Sequence, residues 1–159
     1  MKSLAIFVDV QNIYYTTRQA YQKNFDYNTF WRQVTKARKL ETAYAYATDR
    51  GDEKQRQFQN ILRGIGFDVK LKPYLQRRDG TSKGDWDVGI TIDVLDKAPD
   101  VDVVVILSGD GDFALLAQTV IERYGVAVEV YGVPSLTSNF LIQAASKFIP
   151  IEESLLLKR

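Results

Sequence analysis

The chain has 159 residues, 45% of them hydrophobic and 26% charged, with a formal net charge of +1; this is the size and balance of one globular domain, residues 1–159, with its own core. It contains no cysteine and no histidine, which excludes disulfides, thiolate-held zinc or iron–sulfur clusters, imidazole zinc sites and histidine-dependent nucleophilic catalysis. Any metal must be held by oxygen, which points to Mg²⁺, Mn²⁺ or Ca²⁺. The charge is unevenly divided: residues 1–80 hold 15 Lys and Arg against 8 Asp and Glu, and residues 81–159 hold 6 against 12. A basic half and an acidic half suit an anionic substrate held against an acidic metal site, and equally suit two solvated faces. The short apolar run after Lys2 cannot serve as a leader or a membrane span, so the expected location is cytoplasmic, with no membrane partner.

In chain order, Leu4–Val8 reads as a strand buried on both faces, because its apolar run does not alternate. Asp9-Val10-Gln11-Asn12 opens a helix to about Tyr21, with the acid and the amide both placed to cap it. Asn28 is the expected cap of a second helix, Thr29 to about Lys39. Thr42–Ala47 is a second strand, with Tyr44 and Tyr46 alternating against three alanines. A polar helix from Asp52 to Arg63 ends at Gly64 or Gly66, and Phe67–Leu71 alternates as an edge strand. Pro73 to Gly84 is a loop rich in basic residues. A helix from about Asp85 to Lys97 comes next, stopped by Pro99, and then the strand Val101–Leu107. The helix Phe113–Tyr124 carries an apolar stripe and closes at Gly125. A fifth strand, Val126–Val130, a helix Leu136–Ala145 and a short tail strand or extension at Phe148–Ile151 complete the chain. The alternation predicts an α/β domain with a five-stranded parallel sheet.

Chemistry concentrates at two strand ends. Val103–Leu107 discharges into Ser108-Gly109-Asp110-Gly111-Asp112-Phe113, and Leu4–Val8 ends at Asp9. Ligands of open α/β sheets sit beyond the carboxyl ends of strands, so Asp9, Asp110 and Asp112 converge if the first and fourth strands are neighbours. Asp110 is the stronger candidate for direct coordination. Asp112 binds directly, binds through water, or caps the helix behind it, and capping is an ordinary alternative for either acid.

Phe7-Val8-Asp9-Val10-Gln11-Asn12-Ile13-Tyr14, Lys83-Gly84-Asp85-Trp86-Asp87-Val88 and Ser108–Phe113 together resemble the three signatures of NYN domains, the LabA-like branch of the PIN-like nucleases. The resemblance covers essentially the whole chain. It implies a PIN-like three-layer sandwich with sheet order 3-2-1-4-5, and Mg²⁺- or Mn²⁺-dependent ribonuclease chemistry on RNA. By position it implies Asp9, Asp87, Asp110 and Asp112 as catalytic, metal-holding acids, with Asn12 beside the first. Val10 stands where the family commonly has a small residue, which narrows the approach. Ser146 stands where an acid often follows Ala145, so no functional acid is carried to that position. The family's C-terminal RNA-binding extensions have no counterpart, leaving specificity to this domain, a homo-oligomer or a protein partner.

The supporting residues have plainer alternatives. Asp87 and Asp93 lie about 120° apart on one helix, so Asp93 is expected as an outer partner or in a salt bridge, and Asp85 as a cap. Asn12 would fix Asp9 or a metal-bound water; Ser108 would orient Asp110 or touch phosphate. Arg18, Arg77, Arg78 and Lys83 are candidate phosphate contacts, against the alternative of a solvated basic surface. Tyr14, Tyr15 and Trp86 are candidate base-stacking rings, against the alternative of core. Two rival classes remain: a regulatory RNA- or protein-binding module with a weakly active acidic site, and another strand-end aspartate enzyme. The second is disfavoured by Gln11, where a dehalogenase-type phosphatase wants an acid, and by the acid-free third strand end Leu71-Lys72-Pro73, where a receiver domain is phosphorylated.

Overall fold

The computed structural model describes residues 1–73, 75–76, 82–83 and 85–158. In chain order the elements are β1 (Ser3–Asp9), α1 (Val10–Tyr21), α2 (Tyr27–Thr35), β2 (Lys39–Asp49), α3 (Glu53–Ile65), β3 (Asp68–Pro73), β4 (Leu75–Gln76), β5 (Ser82–Lys83), α4 (Asp87–Lys97), β6 (Val103–Leu107), α5 (Ala114–Tyr124), β7 (Ala127–Gly132), α6 (Asn139–Ala144) and β8 (Lys147–Pro150). The main sheet is parallel throughout, in the order β3-β2-β1-β6-β7-β8, and β4 and β5 form a separate antiparallel pair.

Six strands, in sequence order 3-2-1-4-5-6, replace the expected five. The addition is β8, which pairs Lys147–Pro150 with Glu129–Gly132; its segment is short, only partly buried and ends in proline, so it carries little of the apolar signal that marks the inner strands. The second helix also begins earlier than expected, because Asp26 rather than Asn28 accepts the Thr29 amide at 3.1 Å. The expected helix from Leu136 is broken: Pro134–Leu136 is a 3₁₀ turn, and α6 starts only at Asn139.

The strand pattern creates the layers. Leu4, Ile6, Val8, Val103, Val105 and Leu107 face one apolar layer, packed by Val10 and Ile13 of α1, Phe30 and Val34 of α2 and Leu62 of α3. Ala5, Phe7, Val104 and Ile106 face the other, packed by Ile90 and Val94 of α4, Leu116 and Val120 of α5 and Leu141 of α6. Successive side chains leave a strand on opposite faces, so an unbroken apolar run is what two-sided burial requires. Every residue of β6 is buried, and truncating one such leucine costs about 2–5 kcal/mol.

The adjacency of β1 and β6 matters most for the site. Leu4 pairs with Val103 and Val8 with Leu107, so Asp9 and Ser108 leave the sheet side by side at its carboxyl edge.

Candidate functional site

The turn after β6 is pinned from three directions. The Ser108 amide donates to the Tyr131 carbonyl at 3.2 Å. Its hydroxyl, fully buried, donates to Asp9 Oδ2 at 3.2 Å and accepts from the Asp110 amide at 3.1 Å. The Gly109 amide donates to Asn12 Oδ1 at 2.9 Å, tying the turn to the first turn of α1. The glycines are required by close approach: a Cβ on Gly109 would stand 2.7 Å from the Leu136 carbonyl oxygen, and one on Gly111 would stand 2.7 Å from Ser138 Oγ. The loop that leads into α6 thus closes over the Ser-Gly-Asp-Gly-Asp turn.

Asp110 caps the 3₁₀ turn Gly111–Phe113, its Oδ1 accepting the Asp112 amide at 2.9 Å; the capping role goes to the first acid of the pair. Asp87 is the first residue of α4, its amide donating to Asp85 Oδ1 at 3.2 Å. Asp87, Asp110 and Asp112 each offer one carboxylate oxygen, and these three oxygens lie within 4.8 Å of one another. Asp9 stands beside this group and outside it, held by the Asn12 amide at 3.3 Å and by Ser108.

The electrostatics reflect crowding. Burial first, then the hydrogen bond and the negative charge of Asp110, push the Asp87 carboxyl up to about 7. Burial pushes Asp9 up to about 6 against the hydrogen bonds from Asn12 and Ser108. Carboxyls crowded in this way resist ionising together, and a nearby positive charge would favour their ionised forms. Three carboxylate oxygens converging from two elements, in a chain without imidazole or thiolate, fit a hard cation with oxygen ligands.

The other candidates spread out. Asp93 accepts from Tyr46 Oη and from Lys70 Nζ, both at 2.7 Å, in a partly buried ion pair away from the three acids. Arg18 is exposed near the C-terminal end of α1, nine residues or about 13 Å along the helix from Asp9. Arg77 and Arg78 lie outside the described residues, as does the side chain of Lys83. Trp86 is packed rather than presented: its indole N–H donates to the Ala47 carbonyl at 2.9 Å, and its ring lies 5.2 Å from Tyr46. Tyr14 and Tyr15, each 52% exposed, meet edge to face at 5.5 Å. Val10 turns into the layer beneath α1. Ser146 is bonded to Val128, its Oγ accepting the Val128 amide at 2.9 Å.

A cleft of about 770 Å³ also opens at this edge, bounded by the start of α1, the end of β2, the first turns of α3 and Leu157. Gln55 and Gln59 line it, and neither belongs to a recognisable motif. Their one signal in the sequence is helical spacing: they stand one turn apart, on the face that also carries Phe58 and buried Leu62.

A model of the NYN domain family matches residues 3–152. The low amplitude and bright protein LabA of Synechococcus elongatus is 31% identical over 121 residues, covering 69% of this chain; the chain spans 63% of LabA's length. The crystal structure of VPA0982, a protein of unknown function from Vibrio parahaemolyticus, is similar with a TM-score of 0.94 at 57% identity, covering 98% of this chain and 96% of that one. Ribokinase from Giardia lamblia, with a TM-score of 0.51 at 12% identity over 96% of this chain and 58% of its own, shares the fold alone. Among the described residues no helix is long and apolar enough to cross a membrane. The strand-end acids, the glycine turn that presents them and the match along almost the whole chain agree: this protein belongs to the NYN domain family.

Proposed function

We propose that this protein is a metal-dependent ribonuclease that hydrolyses phosphodiester bonds of single-stranded RNA endonucleolytically, acting in the cytoplasm with Mg²⁺ or Mn²⁺. The observation that carries the reading is the meeting of Asp87, Asp110 and Asp112 within 4.8 Å at the carboxyl edge of an NYN-family sheet. These three hold the cation in this proposal. Asp9, fixed by Ser108 and Asn12, adds a fourth carboxylate beside them. Asp87, Asp110 and Asp112 would hold a divalent cation whose chemistry there would be to offset phosphate charge and to ease deprotonation of the attacking water.

The chain's own contribution is orientation. Asn12 holds the Gly109 amide, Ser108 holds both Asp9 and the Asp110 amide, and the Asp110 carboxylate is fixed by capping. Carboxylates locked in this way need little reorganisation when charge develops on the phosphate. Specificity, in this reading, comes from the domain surface, a second copy or a protein partner.

The test is cleavage of single-stranded RNA oligonucleotides by wild type and Asp110→Asn, each with Mg²⁺, Mn²⁺ or EDTA. Metal-dependent internal cleavage by wild type, lost in the variant, is the expected result. Equal rates in the two proteins would point to a contaminating nuclease and sink the catalytic assignment, and intact RNA with either metal across several substrates would favour a binding module instead.

A further inference from the structure

We propose that the cleft between α1 and α3 is a nucleobase subsite, which takes an unstacked base of the single strand whose phosphate lies at the acids. This rests on the ribonuclease reading and adds a second point of contact to it.

The cleft adjoins the acids by strand register. Val10 and Gln11, which line it, directly follow Asp9; Ala47 and Thr48, which also line it, follow Tyr46, the β2 partner of Asp9. Neighbouring strands lie about 4.8 Å apart, so a strand of RNA crossing the carboxyl edge from the acids toward α3 passes over this opening. At about 770 Å³ it has the size of a small-molecule site.

Its polar lining points to a ligand. Gln59, only 5% exposed, lines the cleft with its amide side chain. Gln55 Oε1 is buried without a partner. Buried polar groups are nearly always paired, and an unpaired one is costly. The unpaired Gln55 oxygen and the Gln59 amide, one helical turn apart on the same cleft, offer donors and acceptors in the pairing that recognises a base edge. Phe58 and the half-exposed Tyr14 supply aromatic surface in the same cleft, which is what stacks an unpaired base. Lys54 supplies positive charge at its rim, and Asp52 is held in place there by capping α3 through the Lys54 amide at 2.9 Å. An aromatic wall, two amides of which one carries an unpaired oxygen, and a basic rim complement a nucleotide.

The test is binding of a fluorescently labelled single-stranded oligoribonucleotide to the wild-type chain in EDTA, read by anisotropy, so that cleavage does not enter. Replacing both amides with the nearly isosteric methionine (Gln55→Met with Gln59→Met) is expected to raise Kd at least tenfold, with Tm unchanged or higher because an unpaired polar atom has been removed. A ribose-phosphate oligomer of the same length lacking bases is expected to bind wild type at least tenfold more weakly than the intact strand. Lys54→Ala is expected to weaken binding less and to flatten its salt dependence. Unchanged Kd in the double variant overturns the proposal. So does equal binding of the abasic oligomer, which would leave phosphate attraction only; this comparison needs no mutation and decides the matter if the double variant does not fold. Failure to cleave RNA with Mn²⁺, with these binding differences intact, would remove the ribonuclease reading and leave the base site standing.

Discussion

The two ends of β1 and β6 use aspartate in opposite ways. At the amino end, Asp102 Oδ2 accepts the Ser3 amide at 2.9 Å and the Ser3 hydroxyl at 3.2 Å. Those bonds, led by the one from the backbone, hold its carboxyl below the usual range, with Lys2 and the N-terminus adding positive charge. At the carboxyl end, a few residues along the same strands, burial and mutual repulsion push Asp9 up to about 6 and Asp87 up to about 7. Among the described residues no ion pair includes Asp9, Asp87, Asp110 or Asp112. One edge provides its acid with donors and gains stability. The other gathers acids whose mutual repulsion a bound cation would relieve.

The sharpest way to break this comparison is to neutralise one acid at each end. Asp110→Asn should lower RNA cleavage by more than about a hundredfold, while Asp102→Asn should leave the rate unchanged. A comparable loss in both variants would mean that general destabilisation, not the site, controls activity. Next in size is Asn12→Ala, which frees the Gly109 amide without touching a proposed ligand. A loss of about tenfold in cleavage, partly recovered at higher Mn²⁺, is expected for a positioning group; a fall in Tm with unchanged kinetics would make Asn12 purely structural.

Smaller effects concern stability. The folded-state pKa of Asp87 lies above its ordinary value of 3.8, so the native state is favoured while that carboxyl is protonated. The advantage is lost as pH rises from about 4 through about 7. In EDTA, Asp87→Asn should therefore melt about 2–4 °C above wild type at pH 8 and nearly with it at pH 4. A lower Tm at pH 8 would show that the carboxylate is already satisfied. Asp102 has the reverse sign. Its folded pKa is depressed, so its contribution is present above the ordinary carboxylate range and is lost as pH falls through the folded value. Asp102→Asn should cost a small amount of Tm at pH 7 that disappears near pH 3, and a thermal melt at each pH checks it.

Much of this arrangement is legible in the residues because burial leaves a strong pattern. Val103–Leu107 and Leu4–Val8 have no polar residue to place outside, so a parallel sheet covered on both faces is the consistent reading. The acids at their ends are equally plain. The sixth strand is weaker, since an edge segment of four residues ending in Pro150 lacks both length and two-sided burial. The start of α2 is ambiguous in the sequence because Asp26 and Asn28 are both good caps, and the edge-to-face contact of Phe25 with Tyr27 at 4.8 Å belongs to tertiary packing. The division between Asp9, held by hydroxyl and amide donors, and the trio Asp87, Asp110 and Asp112 depends on side-chain directions set by three elements at once. Gln55 and Gln59 give no warning because glutamines on a polar helix normally face water; only the packed chain reveals their surroundings.

The most direct measurement is calorimetric titration of Mn²⁺ into wild type, Asp87→Asn, Asp110→Asn and Asp112→Asn at pH 6.5 and 7.5. Wild type should bind Mn²⁺ with release of protons at pH 6.5, because the raised carboxyls must ionise to hold it, and with less release at pH 7.5. Each substitution should weaken binding by about tenfold or more. Mn²⁺ that binds all four proteins alike, or fails to bind wild type at either pH, would overturn the assignment of the carboxyl edge as a cation site.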